Sequence, residues 1–432
     1  MNRLLIKNGT VVRPQGCEPL DILAEDGVIV KIGKKLDAEG AEILDAAGLH
    51  VFPGLVDMHC HLREPGFEGK EEIRTGTAAA AKGGFTSVCC MPNTAPVNDN
   101  SSVTSFIKMR AEDAGFAKVY PIGAVSKGLM GKELAEMDQM RRFGAVAFSD
   151  DGRPVSSGTL MKNAMQYAAG MGMVVISHCE DLDLVDDGAM NEGLTASILG
   201  LRGNPTVAEN AMIAREILLA EYLGVPVHIA HVSNGAGIQL IREAKARGVK
   251  VTCETCPHYF SLNDEACMGY NTLAKVNPPL RSEADRLAVI EGLLDGTIGA
   301  IATDHAPHGA DAKNCEFDRA ANGLIGFETA FALAVTHLVK PGQLTLERLC
   351  ELMSANPARI LSLPAGRLEA GAACDLTLAD LEERWVFTEA EIESKSKNTP
   401  FLGAELTGRV RHTVAGGRIL VRDAKVQKKE EA

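Results

Sequence analysis

One short stretch sets the architecture of this chain: Val51-Phe52-Pro53-Gly54-Leu55-Val56-Asp57-Met58-His59-Cys60-His61, an apolar run that ends in an aspartate and two histidines. It opens a series of eight apolar runs, at residues 51–57, 86–91, 119–124, 145–149, 173–177, 225–230, 249–253 and 298–303. Helix-like stretches separate most of them, including residues 70–82, 101–113, 205–223 and 282–294. This alternation indicates parallel strands with right-handed crossovers, and eight such units predict an α/β fold, a closed (β/α)8 TIM-type barrel. A doubly wound open sheet is the alternative, but no G-x-G-x-x-G motif opens the first helix.

Both ends of the chain have a different pattern, in which short alternating runs and turn pairs replace the helices. The pairs Asn8-Gly9, Asp26-Gly27 and Gly416-Gly417 favour tight hairpins. We therefore expect a small β-sandwich domain built from residues 1–52 and 365–432, with the barrel, residues 53–364, inserted between its two parts. Residues 425–432 are a charged tail that we expect to fray.

The composition excludes several classes of protein. Of 432 residues, 46% are hydrophobic and 23% are charged, which excludes a disordered or fibrous chain. A net charge of −13 argues against nucleic acid and anionic membranes as partners, and no apolar run reaches the roughly 20 residues of a membrane span. The N-terminus does not resemble a signal peptide, and eleven scattered cysteines suit reduced thiols in the cytoplasm. Cys253 and Cys256 have C-x-x-C spacing, for which packed strand cysteines are the favoured interpretation over a zinc or redox site.

Polar side chains end most of the barrel runs. A (β/α)8 barrel gathers the carboxyl ends of its strands on one face, so we expect these side chains to meet there. The first two, His59 and His61, are two residues apart, which on a strand places both imidazoles on one face and suits two nitrogens on one ion. The complete candidate set is His59, His61, Asp150 or Asp151, His178, His231 and Asp304. Spacing alone leaves the choice between the two adjacent aspartates open.

The size of this set predicts the kind of metal site. One catalytic ion takes three protein ligands and keeps an open position, and the set exceeds that number. It fits two ions about 3.5–4 Å apart that share a carboxylate and a bridging hydroxide. Nitrogen and oxygen ligands favour zinc, although manganese or cobalt fits the same set. A closed structural zinc site is the alternative, but such sites usually use cysteines.

The residues around the set predict hydrolysis of a small anion. Asp304, at the end of the last strand, is the candidate proton shuttle between the attacking hydroxide and a leaving nitrogen. Arg63 directly follows the histidine pair, where a guanidinium is suited to a substrate carboxylate. Further polar residues lie at strand ends or in loops from which they can reach the same anion: Asn93, Asn277 and His308. The polar loop from His308 to about Asn322-Gly323 is long enough to act as a lid.

Three motifs resemble those of the dihydroorotases, a family of the amidohydrolase superfamily: Asp57-Met58-His59-Cys60-His61-Leu62-Arg63-Glu64-Pro65-Gly66, Met91-Pro92-Asn93-Thr94 and Ala302-Thr303-Asp304-His305-Ala306-Pro307-His308. The resemblance covers the whole chain, and the first motif is specific. The family interconverts N-carbamoyl-L-aspartate and L-dihydroorotate in pyrimidine synthesis. The resemblance implies zinc at His59, His61, Asp151, His178, His231 and Asp304, with Asp304 also the proton shuttle. It implies substrate contacts from His61, Arg63, Asn93, Asn277, His308, Asn322 and Gly323.

Two positions depart from the pattern of many relatives. Those relatives carry a carboxylated lysine as the bridging ligand after the fourth strand, whereas this chain has Asp150-Asp151, as in the bacterial long-chain type I subgroup. The resemblance favours Asp151 as the bridge. Relatives often carry Phe before the glycine of the lid segment, where this chain has Asn322.

Other functions remain as alternatives. A different cyclic amidohydrolase, such as an allantoinase or hydantoinase, would use the same metal site on a substrate without this carboxylate. An inactive homologue that serves as a structural partner of a transcarbamoylase should have lost metal ligands, and this chain retains all of them. For the active enzyme we expect a homodimer in the cytoplasm, with association with an aspartate transcarbamoylase as a further expectation.

Overall fold

The two ends of the chain form one sheet. A computed structural model describes residues 2–427. The N-terminal part contributes β1 (Arg3–Arg13), β2 (Gly16–Glu25), β3 (Val28–Gly33), β4 (Glu42–Asp45) and β5 (His50–Pro53). In this part β1 pairs antiparallel with β2 and parallel with both β4 and β5.

The middle of the chain closes into an eight-membered barrel. Its regular strands are β6 (Leu55–Cys60), β7 (Phe85–Cys90), β8 (Lys118–Pro121), β9 (Val175–Ser177), β12 (Val227–Ile229), β13 (Val251–Thr255) and β14 (Ala300–Ile301). A separate two-stranded insertion, β10 (Met190–Asn191) and β11 (Gly203–Asn204), follows β9. β6, β7 and β8 pair in parallel, as do β9, β12, β13 and β14. Phe148 bridges the two groups through Gly123 and Val175, and Cys60 pairs with His305 to close the ring. The predicted (β/α)8 barrel is confirmed.

Helices follow the barrel strands, and their bounds agree with the predicted stretches to within a few residues. They are α1 (Ile73–Lys82), α2 (Ser101–Ala114), α3 (Met137–Arg142), α4 (Gly158–Gly170), α5 (Leu182–Val185), α6 (Leu194–Leu199), α7 (Thr206–Leu223), α8 (Gly235–Ala246), α9 (Pro257–Ser261), α10 (Glu283–Leu294), α11 (Ala310–Lys313), α12 (Phe327–Ala334), α13 (Leu346–Cys350) and α14 (Asn356–Ile360). The Asn100 and Ser282 side chains cap α2 and α10 by accepting backbone N–H groups of the first turn. Within residues 2–427, no helix has both the length and the apolar character needed to cross a membrane.

The C-terminal part completes the first sheet with β15 (Leu376–Val386), β16 (Glu405–Ala415), β17 (Arg418–Arg422) and β18 (Lys425–Val426). The strand order is β18-β17-β16-β15-β5-β1-β2-β3, with β4 beside β1. Val28 of β3 also bridges Ala373 before β15, so the sheet folds back on itself around apolar side chains from both ends of the chain. The small β-sandwich built from both termini is therefore present, and Phe52 of β5 packs edge-on against Phe331 of α12 beside it.

The local predictions at the two ends had mixed outcomes. Asp26-Gly27 and Gly416-Gly417 form the hairpin turns, with positive φ at all four residues. The prediction of a hairpin at Asn8-Gly9 is wrong, because β1 runs straight through and the pair forms a bulge. The prediction of a fraying tail is wrong at Lys425–Val426, which pair with β17, whereas residues 428–432 lie outside the described residues.

Candidate metal centre and active site

All six candidate ligands reach the carboxyl end of the barrel and are buried there. His59 lies in β6, and His178, His231 and Asp304 follow directly or closely after β9, β12 and β14. His61 follows β6, and Asp151 follows the short bridging segment at Phe148. The structure therefore brings together residues that are as much as 245 positions apart in sequence, from five of the eight barrel units.

Asp151 lies at the centre of this cluster. Its Oδ1 is 3.4 Å from His59 Nε2, 3.5 Å from His178 Nδ1 and 3.4 Å from His231 Nε2. Its other oxygen, Oδ2, is 3.5 Å from His61 Nε2. One carboxylate thus faces two pairs of histidines, which is the arrangement that a shared ligand requires.

The neighbouring aspartate faces elsewhere. Asp150 Oδ1 accepts hydrogen bonds from the backbone N–H groups of Val125 and Ser126, and Oδ2 accepts one from the Ser126 hydroxyl. Its carboxylate is already satisfied by the loop after β8. The structure therefore distinguishes Asp151, which faces the histidines, from Asp150, which faces the loop; spacing alone could not distinguish them.

Asp304 completes the cluster from the last strand. Its Oδ1 lies 3.0 Å from His61 Nε2 and 3.6 Å from His59 Nε2. Its backbone has φ of +45°, and His231 has φ of +35°, both in the left-handed region that non-glycine residues seldom adopt. Such strain at the end of a strand is typical of functional residues that the surrounding structure holds in place. Here the Asp304 N–H donates to the His59 carbonyl across the seam of the barrel.

A carboxylate or amide behind each of three histidines fixes which ring nitrogen faces the cluster. Glu254 Oε1 lies 2.7 Å from His59 Nδ1, and Asn93 Oδ1 lies 2.9 Å from His61 Nδ1. In both cases Nε2 is left to face Asp151. Glu180 Oε2 lies 3.2 Å from His178 Nε2, so this ring presents Nδ1 instead. Such outer partners orient the ligands of metal sites and raise their basicity.

Sequence reasoning missed Glu254 and Glu180. Glu254 directly follows the seventh apolar run, between the two cysteines of the C-x-x-C pair, and Glu180 lies two residues beyond His178. A carboxylate at the end of a barrel run was the signal that could have found Glu254, and a carboxylate two residues beyond a candidate ligand could have found Glu180.

The unpaired atoms of the cluster fit a divalent cation. His59 Nε2 and Asp151 Oδ1 are buried and have no hydrogen-bond partner, although they face one another. His178 Nδ1 and His231 Nε2 also face each other, at 2.8 Å. Burial would raise the pKa of Asp151, but the facing imidazoles of His59, His178 and His231 outweigh it and hold that pKa well below its ordinary value. A buried, ionised carboxylate surrounded by imidazole nitrogens is a donor set that binds Zn²⁺ and similar ions.

Arg63 provides a half-buried positive charge beside the cluster. Its Nε donates to the Pro307 carbonyl, and Nη2 lies 3.3 Å from His308 Nε2. Within residues 2–427, no carboxylate lies within 4.0 Å of the guanidinium. Burial lowers the pKa of Arg63 only to about 10, so the charge persists at neutral pH. A half-buried cation without a protein counter-ion indicates a binding site for an anion.

The remaining candidate substrate-binding residues lie around Arg63, and some of their polar atoms are already paired within the protein. His308 Nε2 lies 2.9 Å from the Asn322 carbonyl, which joins the two ends of the loop after β14. The Gly323 N–H and carbonyl are already paired, with Lys275 and with the Asn398 side chain. Asn277 Nδ2 donates to Glu180 at 3.1 Å and so lies behind His178.

A closed barrel with imidazoles and carboxylates converging at the carboxyl ends of its strands defines a hydrolase of the amidohydrolase type. A sequence model for the family described as "Dihydro-orotase-like" matches residues 48–236. The chain is 58% identical to the dihydroorotase of Ruminiclostridium cellulolyticum and 56% identical to that of Acetivibrio thermocellus. Both alignments cover 97% of this chain and 99% of the relative. The chain belongs to the dihydroorotase family.

Solved structures show the same architecture. L-Hydantoinase (dihydropyrimidinase) from Arthrobacter aurescens superposes with a TM-score of 0.90 at 28% identity, covering 99% of this chain and 98% of that chain. D-Hydantoinase (dihydropyrimidinase) from Thermus sp. superposes with a TM-score of 0.85 at 26% identity, covering 99% and 97%.

Proposed function

We propose that the protein is a dihydroorotase, which catalyses the reversible cyclisation of N-carbamoyl-L-aspartate to L-dihydroorotate in de novo pyrimidine (UMP) synthesis. The observation that carries this proposal is Arg63, a half-buried guanidinium without a protein counter-ion beside a cluster of metal-ligand type. The ring carboxylate of dihydroorotate is the anion that this charge would bind. The names of the close relatives support the same reaction.

We propose two zinc ions per chain, held by His59, His61, Asp151, His178, His231 and Asp304. Asp151 belongs to two groups of facing donor atoms, one with His59 and His61 and the other with His178 and His231, which supports its role as the bridge. Zinc supplies Lewis acidity, which polarises an amide carbonyl and lowers the pKa of water to about 7.

Asp304 carries the proton in the proposed reaction. Its carboxylate is buried beside His61 and His59, so it is positioned next to the place where water attacks the cyclic amide. In ring opening, Asp304 accepts the proton of the water and delivers it to the leaving ring nitrogen. In ring closure the same proton travels in the opposite direction.

The other polar residues bind and orient the substrate in this proposal. Arg63 binds the carboxylate, and neutral His308 beside it donates or accepts a hydrogen bond to the same group. The further contacts are His61, Asn93, Asn277, Asn322 and Gly323. Because both polar backbone atoms of Gly323 are paired, its contribution requires the loop to adjust, whereas the exposed Asn322 side chain is free to turn.

The test is hydrolysis of L-dihydroorotate by the purified, zinc-loaded protein, followed by the loss of its ultraviolet absorbance at neutral to alkaline pH. We expect turnover in the wild type and a roughly 30- to 1,000-fold loss of kcat/KM in Arg63→Met, since a buried charge-assisted contact with the substrate is worth about 2–4 kcal/mol. Zinc-loaded protein without turnover would reject the proposal.

A second candidate is another cyclic amidohydrolase of the hydantoinase type, which the structural similarity to L-hydantoinase favours. Hydantoins and allantoin lack the ring carboxylate of dihydroorotate. Under this alternative, Arg63→Met should leave their hydrolysis largely intact. Comparison of the two substrates in wild type and variant therefore separates the two functions.

We propose that the protein is a homodimer in the cytoplasm, and that α7 forms the interface. Its inner face is buried, yet its outer face is also apolar, with Val207, Ala211, Leu218 and Tyr222 exposed. Their spacing is the same from either end of the helix, so two antiparallel copies would set Tyr222 against Val207 and Leu218 against Ala211. A transcarbamoylase is the other partner that this face could serve. All eleven cysteines, which fall within the described residues, are free thiols, in keeping with a reducing compartment.

We also propose the division into two domains, one of residues 1–52 and 365–432 and the other of residues 53–364. The strand bounds support it, because β5 ends at Pro53 and the first barrel strand starts at Leu55.

A further inference from the structure

The C-x-x-C pair of the sequence separates in the structure, and only its second cysteine reaches the active-site end of the barrel. Cys253 lies within β13, and its thiol donates to the Thr297 carbonyl. Cys256 lies beyond the end of β13, and its sulfur lies with His258 and Asp304 instead. The two sulfurs therefore do not share a site, and the pair cannot act as a redox couple.

Cys256 lies instead beside His258 and Asp304. A sulfur of Cys256, a ring nitrogen of His258 and a carboxylate oxygen of Asp304 all lie within 4.8 Å of one another. β13 and β14 are adjacent barrel strands, which explains why the residue after one lies beside the residues after the other. All three side chains are at least nine-tenths buried.

His258 is the second, independent sign of a ligand. Its side chain is 1% exposed, yet neither ring nitrogen has a hydrogen-bond partner among the described residues. Its ring packs against the ring of Tyr259 at an interplanar angle of 58°, a contact that satisfies neither nitrogen. A buried imidazole with two free nitrogens is costly unless something else completes it.

We propose that Cys256, His258 and Asp304 form an additional, inhibitory site for one thiophilic divalent cation, such as Zn²⁺ in excess or Cd²⁺. Thiolate, imidazole and carboxylate together are a donor set that zinc-like ions bind tetrahedrally, with water in the fourth position. On binding, the Cys256 thiol becomes a thiolate and one proton leaves to solvent for each ion.

Inhibition follows from the shared aspartate. An ion at this site holds the Asp304 carboxylate, which then cannot accept a proton from water. This part of the inference rests on the proposed function, whereas binding of the ion does not.

The test uses cadmium, because a cadmium–thiolate bond absorbs in the ultraviolet and bonds to nitrogen or oxygen do not. The background is zinc-loaded protein with the two exposed cysteines replaced, Cys17→Ser and Cys315→Ser. We expect one equivalent of Cd²⁺ per chain to produce the charge-transfer band. Cys256→Ser should abolish the band, and His258→Gln should weaken cadmium binding at least tenfold. Cys253→Ser is the matched control, a buried cysteine three residues away, and should keep the band.

Turnover is measured in the same titration. We expect Cd²⁺ to remove at least nine-tenths of the activity of the background protein, reversibly on addition of a dithiol, and to leave Cys256→Ser active. A background protein without the band, or a band that survives in Cys256→Ser, would overturn the site. If the band appears as expected but no variant hydrolyses dihydroorotate, the proposed function has failed and the site has not. Thermal unfolding of each variant confirms that it is folded, and Cys256→Ala provides a second variant if Cys256→Ser is unstable.

Discussion

Asp304 has two roles in the proposed reaction, because its carboxylate faces two histidines and would also carry the proton. We predict that Asp304→Asn lowers kcat by roughly 10²–10⁴-fold, the usual contribution of general acid–base catalysis, with little change in KM. The amide keeps the size of the side chain but cannot carry the proton. Steady-state kinetics with metal analysis of the variant checks this, and a loss confined to KM with full metal content would contradict the role.

His308 should be a neutral partner of the substrate throughout the working pH range. Burial, together with the charges of Arg63, Lys70 and Lys313, lowers the pKa of His308 to about 3. We predict that His308→Asn raises KM roughly tenfold through loss of one hydrogen bond, yet leaves the shape of the pH profile of kcat/KM unchanged between about pH 5 and pH 9. Disappearance of a titration step near the ordinary histidine pKa in the variant would show that His308 is charged.

At the scale of single residues, the sequence could predict the candidate ligands at the ends of strands. It could not predict the residues that hydrogen-bond to those ligands from behind. His59, His178, His231 and Asp304 follow apolar runs, so the barrel alone implies that they meet. The roles of Glu254, within β13, and of His258, just after it, depend on the direction in which each side chain points, and neighbouring strands rather than spacing determine that direction. The same reason explains why Asp150 and Asp151 could not be told apart: one residue of register decides whether a carboxylate faces a loop or the cluster.

At the scale of the elements, a buried ion pair ties the insertion after β9 to the barrel. Arg281, just before α10, donates to Glu209 of α7 at 3.3 Å, to the Asn204 carbonyl of β11 at 2.7 Å and to the Ser233 hydroxyl at 3.1 Å. Both charged side chains are nearly fully buried. We predict that Arg281→Met lowers the free energy of unfolding by about 3–5 kcal/mol, because Glu209 is left as an unpaired buried charge.

The control is Arg141→Met, which removes an exposed pair with Asp138 on α3. Such pairs contribute about 0.2–1 kcal/mol, so this variant should unfold nearly as the wild type does. Denaturant unfolding of the two proteins under the same conditions makes the comparison. Equal losses would mean that the Arg281 contacts do not hold the insertion to the barrel.

The elements most accessible from sequence were those with a long, uninterrupted pattern. α7 and α10 begin within a residue of the predicted stretches and end where those stretches end, because Ser, Pro and Gly residues mark their boundaries. The fourth apolar run, at residues 145–149, forms only isolated bridges around Phe148, since a short run between two loops has few neighbours to pair with. Asn8-Gly9 failed as a turn because β2 and β4 both pair with β1 and favour its continuation over a reversal.

At the scale of the whole molecule, the apolar outer face of α7 predicts self-association. We expect the wild type to be a dimer and the double variant Leu218→Lys, Tyr222→Lys to be a monomer, because the four added charges per dimer would be desolvated and close together. Leu287→Lys, at an exposed apolar position on α10, is the control and should remain dimeric. Light scattering coupled to gel filtration measures the mass, and a dimeric double variant would place the interface elsewhere.

The sheet that joins both termini also governs the order in which the chain can mature. β5 lies between β1 and β15, so the N-terminal strands cannot complete their pairing until the ribosome has made residue 376 and beyond. At about 5–20 residues per second, roughly 15–60 s of translation separate the two halves of this domain. During that interval the barrel can fold while the edge of β5 that later pairs with β15 remains unpaired. A nascent chain stalled before β15 is therefore the species that chaperones would have to shield from aggregation.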